Sequence, residues 1–472
     1  MPAKRVLLAG AGTAGRMAVE AVRKHPEAEL LPVGFLDDDP DLQGREVAGL
    51  PVLGPLLHLV DCVQAHDIDE VLIAIPTAQG PLIRQLVSLC ARARVPSRIV
   101  PGVMEIIRGD VHFEHIRPVR PEDLLGREVV ELVEEPIEGV LRDRCVLVTG
   151  AGGSIGAELC RQIARFDPRR LLLLGRGENS IFEIESELRD LQPQLEAEPI
   201  IADIRDAERV RRIFERARPD VVFHAAAHKH VPYMERHPSE AILNNVWGTL
   251  QVVRAAQATG AERVVFISTD KAVRPRSVMG ASKRFAEHML QASQTGATRL
   301  MAVRFGNVLA SRGSVVNLFQ AQLRRGVPLT VTHPDATRYF MTVREACMLV
   351  LQASALGAGG EVYTLAMGEA VKIGELARDL VALSGFEPDD VAIRYTGMRP
   401  GEKLHEELRS CDDSELPSPH PHIFVARIGE LQAADAIAVA EELTTLALHG
   451  EDAAIQRRLA ELLPEYTPTA ER

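Results

Sequence analysis

Aromatic residues are scarce in this sequence, making up 4% of its 472 residues, with a single tryptophan, Trp247. A chain so poor in stacking side chains is not expected to bind single-stranded nucleic acid. Cationic charge is also short, since 54 basic residues face 66 acidic ones and the net charge is −12. No global basic surface for nucleic acid or anionic lipid is therefore expected, which leaves room only for a local basic pocket around a phosphorylated small molecule.

Long hydrophobic runs and paired cysteines are missing as well. No stretch approaches the roughly 18 apolar residues of a membrane span, and residues 1–4 lead into a glycine-containing strand instead of a signal peptide. The six cysteines form no C-x-x-C pair and no zinc spacing; they are Cys62, Cys90, Cys145, Cys160, Cys347 and Cys411. These absences predict a reducing, cytoplasmic setting, no integral membrane segment and no metal site.

Short apolar strands alternate with amphipathic, helix-length segments over residues 5–100 and again over 145–310. This alternation predicts an α/β protein with two doubly wound, parallel-sheet, Rossmann-like domains. We place the first domain at 1–100, a Pro- and Glu-rich linker at 101–142, and the second domain at 143–472. Helices expected near 317–325, 343–356 and 374–384 predict a small cap over the second sheet, and a terminal helix pair is expected over 430–463.

The first domain opens with a glycine-rich loop. Gly10, Gly12 and Gly15 match the pattern G-x-G-x-x-G, in which glycine lets the backbone approach a pyrophosphate at a helix N-terminus. The acidic run 37–39, at the end of the second strand, is a candidate for holding a ribose hydroxyl. A bound nucleotide and an empty loop are equally compatible with this pattern, and no catalytic group accompanies it.

The second domain opens with glycines spaced as in short-chain dehydrogenases, followed by polar or small residues at successive strand ends. That order predicts a nicotinamide dinucleotide in the crevice outside the carboxyl ends of the strands. The residues expected to line it are Gly150, Gly153, Ser154, Ile155, Gly156, Arg176, Asp203, Ile204, Ala225 and Ala226.

The choice between NADP and NAD depends on the strand that ends in Gly175-Arg176. No carboxylate at this strand end repels an adenosine 2′-phosphate, and Arg176 is able to pair with one. This favours NADP slightly. Glu178 stands close enough to hold the ribose of NAD instead, so both cofactors stay open.

A carboxylate and an amine, Asp270 and Lys271, follow the strand that ends near Ser268. Side by side in the crevice they can act as acid and base on one substrate, and the alternative is a simple ion pair at a strand end. Lys283 lies on the next helix. Short-chain dehydrogenases carry a tyrosine four residues before such a lysine, but Met279 stands here and cannot accept a proton. The histidines at 224, 228 and 230 are expected to be structural rather than zinc ligands.

Five motifs together resemble the UDP-N-acetylglucosamine 4,6-dehydratases of polysaccharide biosynthesis. They are Thr269-Asp270-Lys271-Ala272, Met279-x-x-x-Lys283, Arg304-Phe305-Gly306-Asn307-Val308, Thr337-Arg338-Tyr339-Phe340-Met341-Thr342 and Arg399-Pro400-Gly401-Glu402-Lys403. The methionine is similar to that of the large retaining branch of this family. The resemblance spans about 120–425, and residues 1–100 resemble the nucleotide-binding domain of large members. Those members usually begin with membrane spans, which are not found in this sequence.

The resemblance implies an extended short-chain dehydrogenase fold with a substrate cap, and loss of water from a UDP-N-acetylhexosamine through a 4-keto intermediate. A hydride would leave sugar C4 for the nicotinamide and return to C6. Asp270 would protonate the C6 hydroxyl, Lys271 would remove the C5 proton, Thr269 would bind the C4 oxygen and Lys283 the nicotinamide ribose. Met279 completes the catalytic set. Substrate-binding candidates are Lys229, Asn307, Arg338, Arg399 and Glu402.

As a base, Lys271 is expected to have a lowered pKa, caused by burial and by Lys283. Two other functions are weighed against the dehydratase. One is a nucleotide-sugar epimerase acting at C4 or C5, which the Asp270–Lys271 pair and the missing tyrosine disfavour. The other is a nucleotide-sensing regulator without turnover, which the intact Asp270, Lys271 and Lys283 disfavour. A homo-oligomer is also expected.

Overall fold

The computed structural model describes residues 3–76, 78, 80–100, 116–125, 133–309, 311–408, 415–429 and 433–468. Its contacts divide the chain into two compact units. The first unit comprises Met1–Val129, Val315–Pro334 and Lys372–Thr396, and the second comprises Val130–Ser314, Asp335–Val371 and Gly397–Arg472. Each unit is built on its own parallel-rich sheet, which confirms the predicted α/β class.

The main sheet of the first unit has seven strands: β1 Lys4–Ala9, β2 Leu30–Leu36, β3 Glu46–Val47, β4 Leu50–Gly54, β5 Glu70–Ile73, β6 Ser97–Ile99 and β7 Arg117–Pro118. Their order is β3-β4-β2-β1-β5-β6-β7, parallel from β4 to β6. The helices Thr13–Lys24, Leu59–Ala65 and Gly80–Ala93 connect them. Leu7 and Leu8 belong to different apolar clusters because successive side chains point to opposite, buried faces of the sheet.

Two later segments complete the first unit. The helix Ile373–Leu383 packs on the helix Gly80–Ala93 and on the helix Val315–Arg324, and β15 Leu329–Val331 pairs with β19 Ile393–Tyr395. From the sequence, helices in these segments are expected to form part of a cap over the second sheet. The contacts instead group them with the first unit, because Ala382 is buried in the same apolar cluster as Leu86.

The domain boundaries 1–100, 101–142 and 143–472 stay a prediction. Within the expected linker, residues 101–115 and 126–132 lie outside the described residues. The remaining part contains β7, a 3-10 turn over Pro121–Leu125 and the helix Glu134–Leu141.

The main sheet of the second unit has nine strands: β8 Cys145–Thr149, β9 Arg170–Gly175, β10 Ala197–Ile201, β11 Val221–His224, β12 Arg263–Ile267, β13 Arg299–Arg304, β17 Val362–Leu365, β20 Glu415–Pro417 and β21 Ile423–Ala426. The order is β10-β9-β8-β11-β12-β13-β17-β21-β20, and β21 runs antiparallel to its two neighbours β17 and β20, which share the direction of the other strands. A small sheet joins β14 Asn307–Val308, β16 Thr337–Met341 and β18 Ala370–Lys372.

Helices flank this sheet on both faces, as the strands' continuous apolar runs require. They are Ser154–Ala164, Glu178–Leu191, Ala207–Ala217, Val231–Arg236, Pro238–Ala241, Gly248–Thr259, Val278–Ala292, Val343–Leu356, Ala433–Leu448 and Asp452–Leu462, with a π-helical segment over Ile242–Trp247. The last two are the predicted terminal pair, and Glu430 lies outside the described residues. In the part of the chain that the structure describes, no helix combines the length and apolarity needed to cross a bilayer.

Candidate active site

Four neighbouring strands, β8, β11, β12 and β13, end at the same edge of the second sheet. The parallel register aligns His224 with Thr149 and Phe266, and it aligns Ile267 with Val303. Because ligands of open α/β sheets bind outside the carboxyl ends of the strands, the residues that follow these strands form the candidate site.

The glycine loop after β8 approaches the end of β11 closely. Gly150 has φ +68°, and a Cβ placed there would lie 2.7 Å from the backbone nitrogen of Ala226. A Cβ on Gly156 would overlap the carbonyl oxygen of Gly150. The loop therefore leaves a cradle that only glycine permits, just before the helix Ser154–Ala164, and this cradle fits a dinucleotide pyrophosphate. Gly153 precedes the helix, and Ile155 lies in its first turn.

His224 lies fully buried between two hydroxyl groups. Thr249 Oγ1 donates to the carbonyl of Asn245 at 2.7 Å, so it accepts from His224 Nε2 at 3.0 Å, and Thr149 Oγ1 lies 2.6 Å from Nδ1. Burial, with a smaller contribution from the charge of Lys283, lowers the pKa of His224 to about 3. The imidazole is therefore a neutral structural link between β8 and β11. Among the described residues, no group of three or more His, Cys, Asp or Glu side chains is placed to hold a metal ion.

Asp270 and Lys271 form an ion pair in the turn after β12. Lys271 Nζ donates to Asp270 Oδ1 at 2.9 Å and to Asn307 Oδ1 at 3.0 Å, while Thr269 Oγ1 donates to the same Asp270 oxygen at 2.9 Å. Asp270 is 1% exposed, and its Oδ2 has no hydrogen-bond partner among the described residues. A buried carboxylate oxygen without a donor marks a place where a substrate hydroxyl can bind.

Glu406 also faces Lys271, and the sequence analysis did not identify it. Its Oε1 lies 3.5 Å from both Lys271 Nζ and Arg338 Nε, and the residue is buried. Burial alone would lower the pKa of Lys271, but the charges of Asp270 and Glu406 overcome it and raise that pKa. The expectation of a lowered pKa is therefore wrong, because two carboxylates surround the ammonium and Lys283 is not among the groups that act on it.

A second buried ion pair, Arg304–Glu287, lies near the turn that carries Asp270 and Lys271. Arg304 Nε and Nη2 donate to the two oxygens of Glu287 at 2.8 and 2.7 Å, and Ser268 Oγ donates to Glu287 at 2.6 Å. Arg304 and Glu287 are almost completely buried. Since a buried pair fixes geometry when all its hydrogen bonds are made, it ties β12 and β13 to the helix Val278–Ala292 through Ser268, two residues before Asp270.

That helix carries the other two residues of the predicted catalytic set. Lys283 Nζ donates to the carbonyl of Ile267 at 2.5 Å and lies 3.9 Å from the centre of the Phe266 ring. Burial lowers the pKa of Lys283 to about 7, with Glu287 opposing the shift. Met279 is buried, and at Gly280 a Cβ would overlap the carbonyl oxygen of Lys271. The close approach at Gly280 therefore sets the distance between the helix and the reactive turn.

At the end of the crevice where the adenosine is expected, the Asp203 carboxylate is already hydrogen-bonded by the protein. Burial alone would raise the pKa of Asp203, but hydrogen bonds from Arg205 lower it, the shortest being 2.7 Å. Ile204 is buried and packs against Gly248. Arg176 is exposed, and its charge acts on Asp203. Arg176 is thus available to an anionic ligand.

The five predicted substrate-binding residues are placed differently from one another. Arg338 is buried and donates through Nη1 to the carbonyls of Thr337 and Leu404, at 2.7 and 3.1 Å. Asn307 is bound to Lys271. Arg399 is exposed and paired with Glu402. The Nζ of Lys229 lies 3.4 Å from Ser311 Oγ.

Of these candidates, Lys229 and Arg399 are the cations best placed to meet a soluble anion. Burial, followed by the charge of Lys271, lowers the pKa of Lys229. Arg399 is about half exposed, whereas the Arg338 side chain is at 10% exposure.

Arg312 is a second residue that the sequence analysis missed. Its backbone nitrogen donates to Ser154 Oγ at 2.9 Å, and its Nη1 donates to the carbonyl of Gly152 at 3.0 Å. Since β13 lies three strands from β8, the segment after β13 crosses the carboxyl edge of β11 and β12 to reach the glycine loop. No local sequence motif predicts this contact, because the two segments are more than 150 residues apart in the chain.

A family model described as "Polysaccharide biosynthesis protein" matches residues 146–428. The chain belongs to this polysaccharide biosynthesis family. A second model, described as "CoA-binding domain", matches residues 3–101 of this polysaccharide biosynthesis protein. The membership confirms the resemblance to a polysaccharide biosynthesis family drawn from the five motifs, all of which lie within the matched range.

Relatives cover most of the chain. It is 43% identical over 469 residues to the probable polysaccharide biosynthesis protein EpsC of Bacillus subtilis, covering 94% of this chain and 78% of the relative. It is 41% identical to the capsular polysaccharide biosynthesis protein CapD of Staphylococcus aureus, covering 93% and 74%. The X-ray structure of Pen from Bacillus thuringiensis is similar at 32% identity and a TM-score of 0.57, covering 66% of this chain and 99% of that one.

The chain is also 34% identical over 279 residues to the UDP-glucose 4-epimerase of Rickettsia typhi, covering 57% of this chain and 79% of that relative, so it is related to enzymes of nucleotide sugars. The Rossmann-type fold predicted from the two glycine loops is confirmed. The roles of individual site residues stay predictions.

Proposed function

We propose that this chain is a 4,6-dehydratase that removes water from UDP-N-acetylglucosamine or a close UDP-N-acetylhexosamine. The observation that carries the proposal is the Asp270–Lys271 pair at the end of β12. A carboxylate and an amine, hydrogen-bonded at 2.9 Å and placed at the ligand-binding edge, form an acid–base couple. An elimination needs both members at once, one for each end of the bond that becomes double.

The couple must first rearrange its proton. In the ion pair, Lys271 holds the proton and Asp270 is a carboxylate. Transfer from Lys271 Nζ to Asp270 Oδ1, along their hydrogen bond, gives a neutral amine and a carboxylic acid without changing the total charge. These are the forms that a base at C5 and an acid at C6 require.

Elimination then returns the couple to its starting state. With a ketone at C4, the C5 hydrogen is acidic, and Lys271 Nζ takes it as a proton. The C5–H electron pair becomes the C5–C6 double bond as the C6–O bond breaks, and the departing oxygen receives the proton of Asp270 and leaves as water. Lys271 ends as an ammonium and Asp270 as a carboxylate, so the pair is ready for another cycle.

The glycine loop of Gly150, Gly153 and Gly156, together with Lys283, would hold a nicotinamide dinucleotide. When bound, that cofactor supplies the oxidant for C4 and the reductant for C6, with no net oxidation. NADP is slightly preferred to NAD because Arg176 is exposed and no carboxylate ends β9. The remaining cofactor contacts proposed from the sequence are Ser154, Ile155, Asp203, Ile204, Ala225 and Ala226.

The substrate would use the cations that are exposed to solvent. Lys229 and Arg399 are proposed to meet the diphosphate, since Arg338 and Asn307 are engaged with Leu404 and Lys271. Glu402 Oε2, which has no partner among the described residues, is proposed to accept from the uridine ribose. Thr269 is proposed to bind the C4 oxygen, where Met279 offers no phenol.

The direct test is incubation of the purified chain with UDP-N-acetylglucosamine, followed by mass spectrometry. Loss of one water is expected, and deuterium placed at C4 should appear at C6 of the product. The variant Asp270→Asn serves as the matched control. A C4 or C5 epimer formed without water loss would replace the proposal with an epimerase, and tight binding without conversion would indicate a nucleotide sensor.

A further inference from the structure

Glu406 is placed in the site without a part in the elimination described above. It is 6% exposed, its Oε1 lies 3.5 Å from both Lys271 Nζ and Arg338 Nε, and its Oε2 has no hydrogen-bond partner among the described residues. A buried carboxylate is costly unless cations compensate it, and Lys271, Arg338 and Lys403 do so. Glu406 therefore shares the charge of the reactive lysine with Asp270.

We propose that Glu406 is a positioning residue that holds the ammonium of Lys271 against Asp270 and so controls where the shared proton of that pair resides. This rests on the proposed dehydratase function. Lys271 is a base only while its proton is on Asp270, and the charge of Glu406 favours the proton on Lys271. Arg338, at the same distance from the same Glu406 oxygen, offsets part of that charge.

The charges around Lys271 define what Glu406 adds. Asp270 and Glu406 contribute two negative charges, and Lys271 and Arg338 contribute two positive ones. The positive charge of Lys229, in the segment after β11, repels that of Lys271, and the charge of Lys403 attracts the carboxylates of Asp270 and Glu406. Without Glu406 the excess of cations over carboxylates is larger, so the pair releases its proton more readily. With Glu406 present, the pair keeps one proton over the pH range in which it works.

The first test measures Lys271 itself, independently of turnover. The chain is acetylated with trace acetic anhydride over a range of pH, and modification of the Lys271 peptide is quantified by mass spectrometry. In Glu406→Gln, the midpoint of labelling should fall by about one pH unit or more, since a carboxylate 3.5 Å from a partly buried ammonium is removed. In Arg338→Gln the midpoint should rise, because a repelling cation is lost.

Glu407→Gln is the matched control for this test. Glu407 is the next residue and pairs with Arg274 instead of Lys271. Its loss should leave the Lys271 midpoint unchanged. An unchanged midpoint in folded Glu406→Gln overturns the proposal, and if that variant does not fold, an unchanged or lowered midpoint in Arg338→Gln overturns it.

The second test uses the pH profile of water loss. Both limbs of the kcat profile should move to lower pH in Glu406→Gln, with kcat changing more than KM because the proton of the pair is redistributed, and Glu406→Asp should restore the limbs by restoring the charge. Lower activity with unmoved limbs would mean a merely structural role and would overturn the proposal. If the parent chain shows no water loss, the proposed function fails, whereas the acetylation test still decides the role of Glu406.

Discussion

Both units begin with a glycine loop, but the acids that follow their strands have different partners. In the first unit, Asp37 accepts from the backbone nitrogens of Ala11 and Asp39 at 2.7 and 2.9 Å, and Asp38 accepts from that of Leu56 at 2.8 Å. In the second unit, Asp270 is paired with Lys271 and keeps one oxygen without a partner. The first set of carboxylates stabilises its own loop, whereas the second is available to a ligand.

A nucleotide-binding scaffold therefore does not by itself create a reactive site. Both loops require glycine where the backbone folds closely on itself, at Gly15 against Gly10 and at Gly156 against Gly150. Among the described residues, only the second sheet adds, after a central strand, a buried acid paired with an amine and supported by Arg304 and Glu287. The chemistry therefore depends on strand-end side chains and on their support, not on the loop.

The difference between the two units is tested most directly by neutralising one acid in each. Asp270→Asn should lower the rate of water loss by about 10²- to 10⁴-fold, because an amide cannot protonate the departing hydroxyl. Asp37→Asn, which changes only a loop-capping carboxylate, should leave the rate within about threefold of the parent. Mass spectrometry of the product gives both rates, and near-normal turnover in Asp270→Asn would contradict the assignment.

A second substitution tests the distance between the helix and the reactive turn. Gly280→Ala should lower kcat by about 10²-fold, since its Cβ must push the carbonyl of Lys271 away and displace the amine. Gly139→Ala is the control, because a Cβ there meets nothing within 4 Å. Turnover is followed together with circular dichroism. Equal rates for the two variants would show that the close approach at Gly280 is irrelevant to the chemistry.

The cofactor end of the second unit is tested through Arg176. If it pairs with a 2′-phosphate, Arg176→Ala should weaken NADP binding by roughly 10- to 100-fold, the effect of a charge-assisted hydrogen bond, and should hardly change NAD binding. Titration calorimetry on the cofactor-free chain measures both affinities. Equal losses for the two cofactors, or tighter NAD binding by the parent, would reverse the preference.

The smallest effect concerns stability and pH. Folding lowers the pKa of His224 from 6.5 to about 3. Between pH 6.5 and pH 3, His224 is therefore protonated in the unfolded chain but neutral in the folded chain. The free energy of unfolding should therefore fall on acidification by up to ~1.4 kcal/mol per pH unit below pH 6.5 from this residue. Urea titrations at pH 7 and pH 5 measure the slope, which should be shallower in His224→Asn. An identical slope in that variant would contradict the neutral, buried role.

The sequence predicts the parts of this protein that lie close together in the chain. The two loops, the strand ends at Asp270 and Asn307, and the helix with Met279 and Lys283 all follow from local patterns, and the fold is confirmed. Contacts across long sequence separations do not follow. Glu406 reaches Lys271 from 135 positions away and, after Asp270, adds to the rise of its pKa, and Arg312 reaches the glycine loop with no motif to mark it.

Residues 315–334 and 372–396 belong to the first unit although most of the second unit precedes them in the chain, which affects folding during synthesis. The helix Gly80–Ala93 is synthesised early, but its partner Ile373–Leu383 emerges nearly three hundred residues later. Until then, the apolar patch that includes Leu86 and Cys90 lacks Ala382 and is exposed to chaperones or to other nascent chains. Neither unit can finish folding on the ribosome before the other has been largely translated.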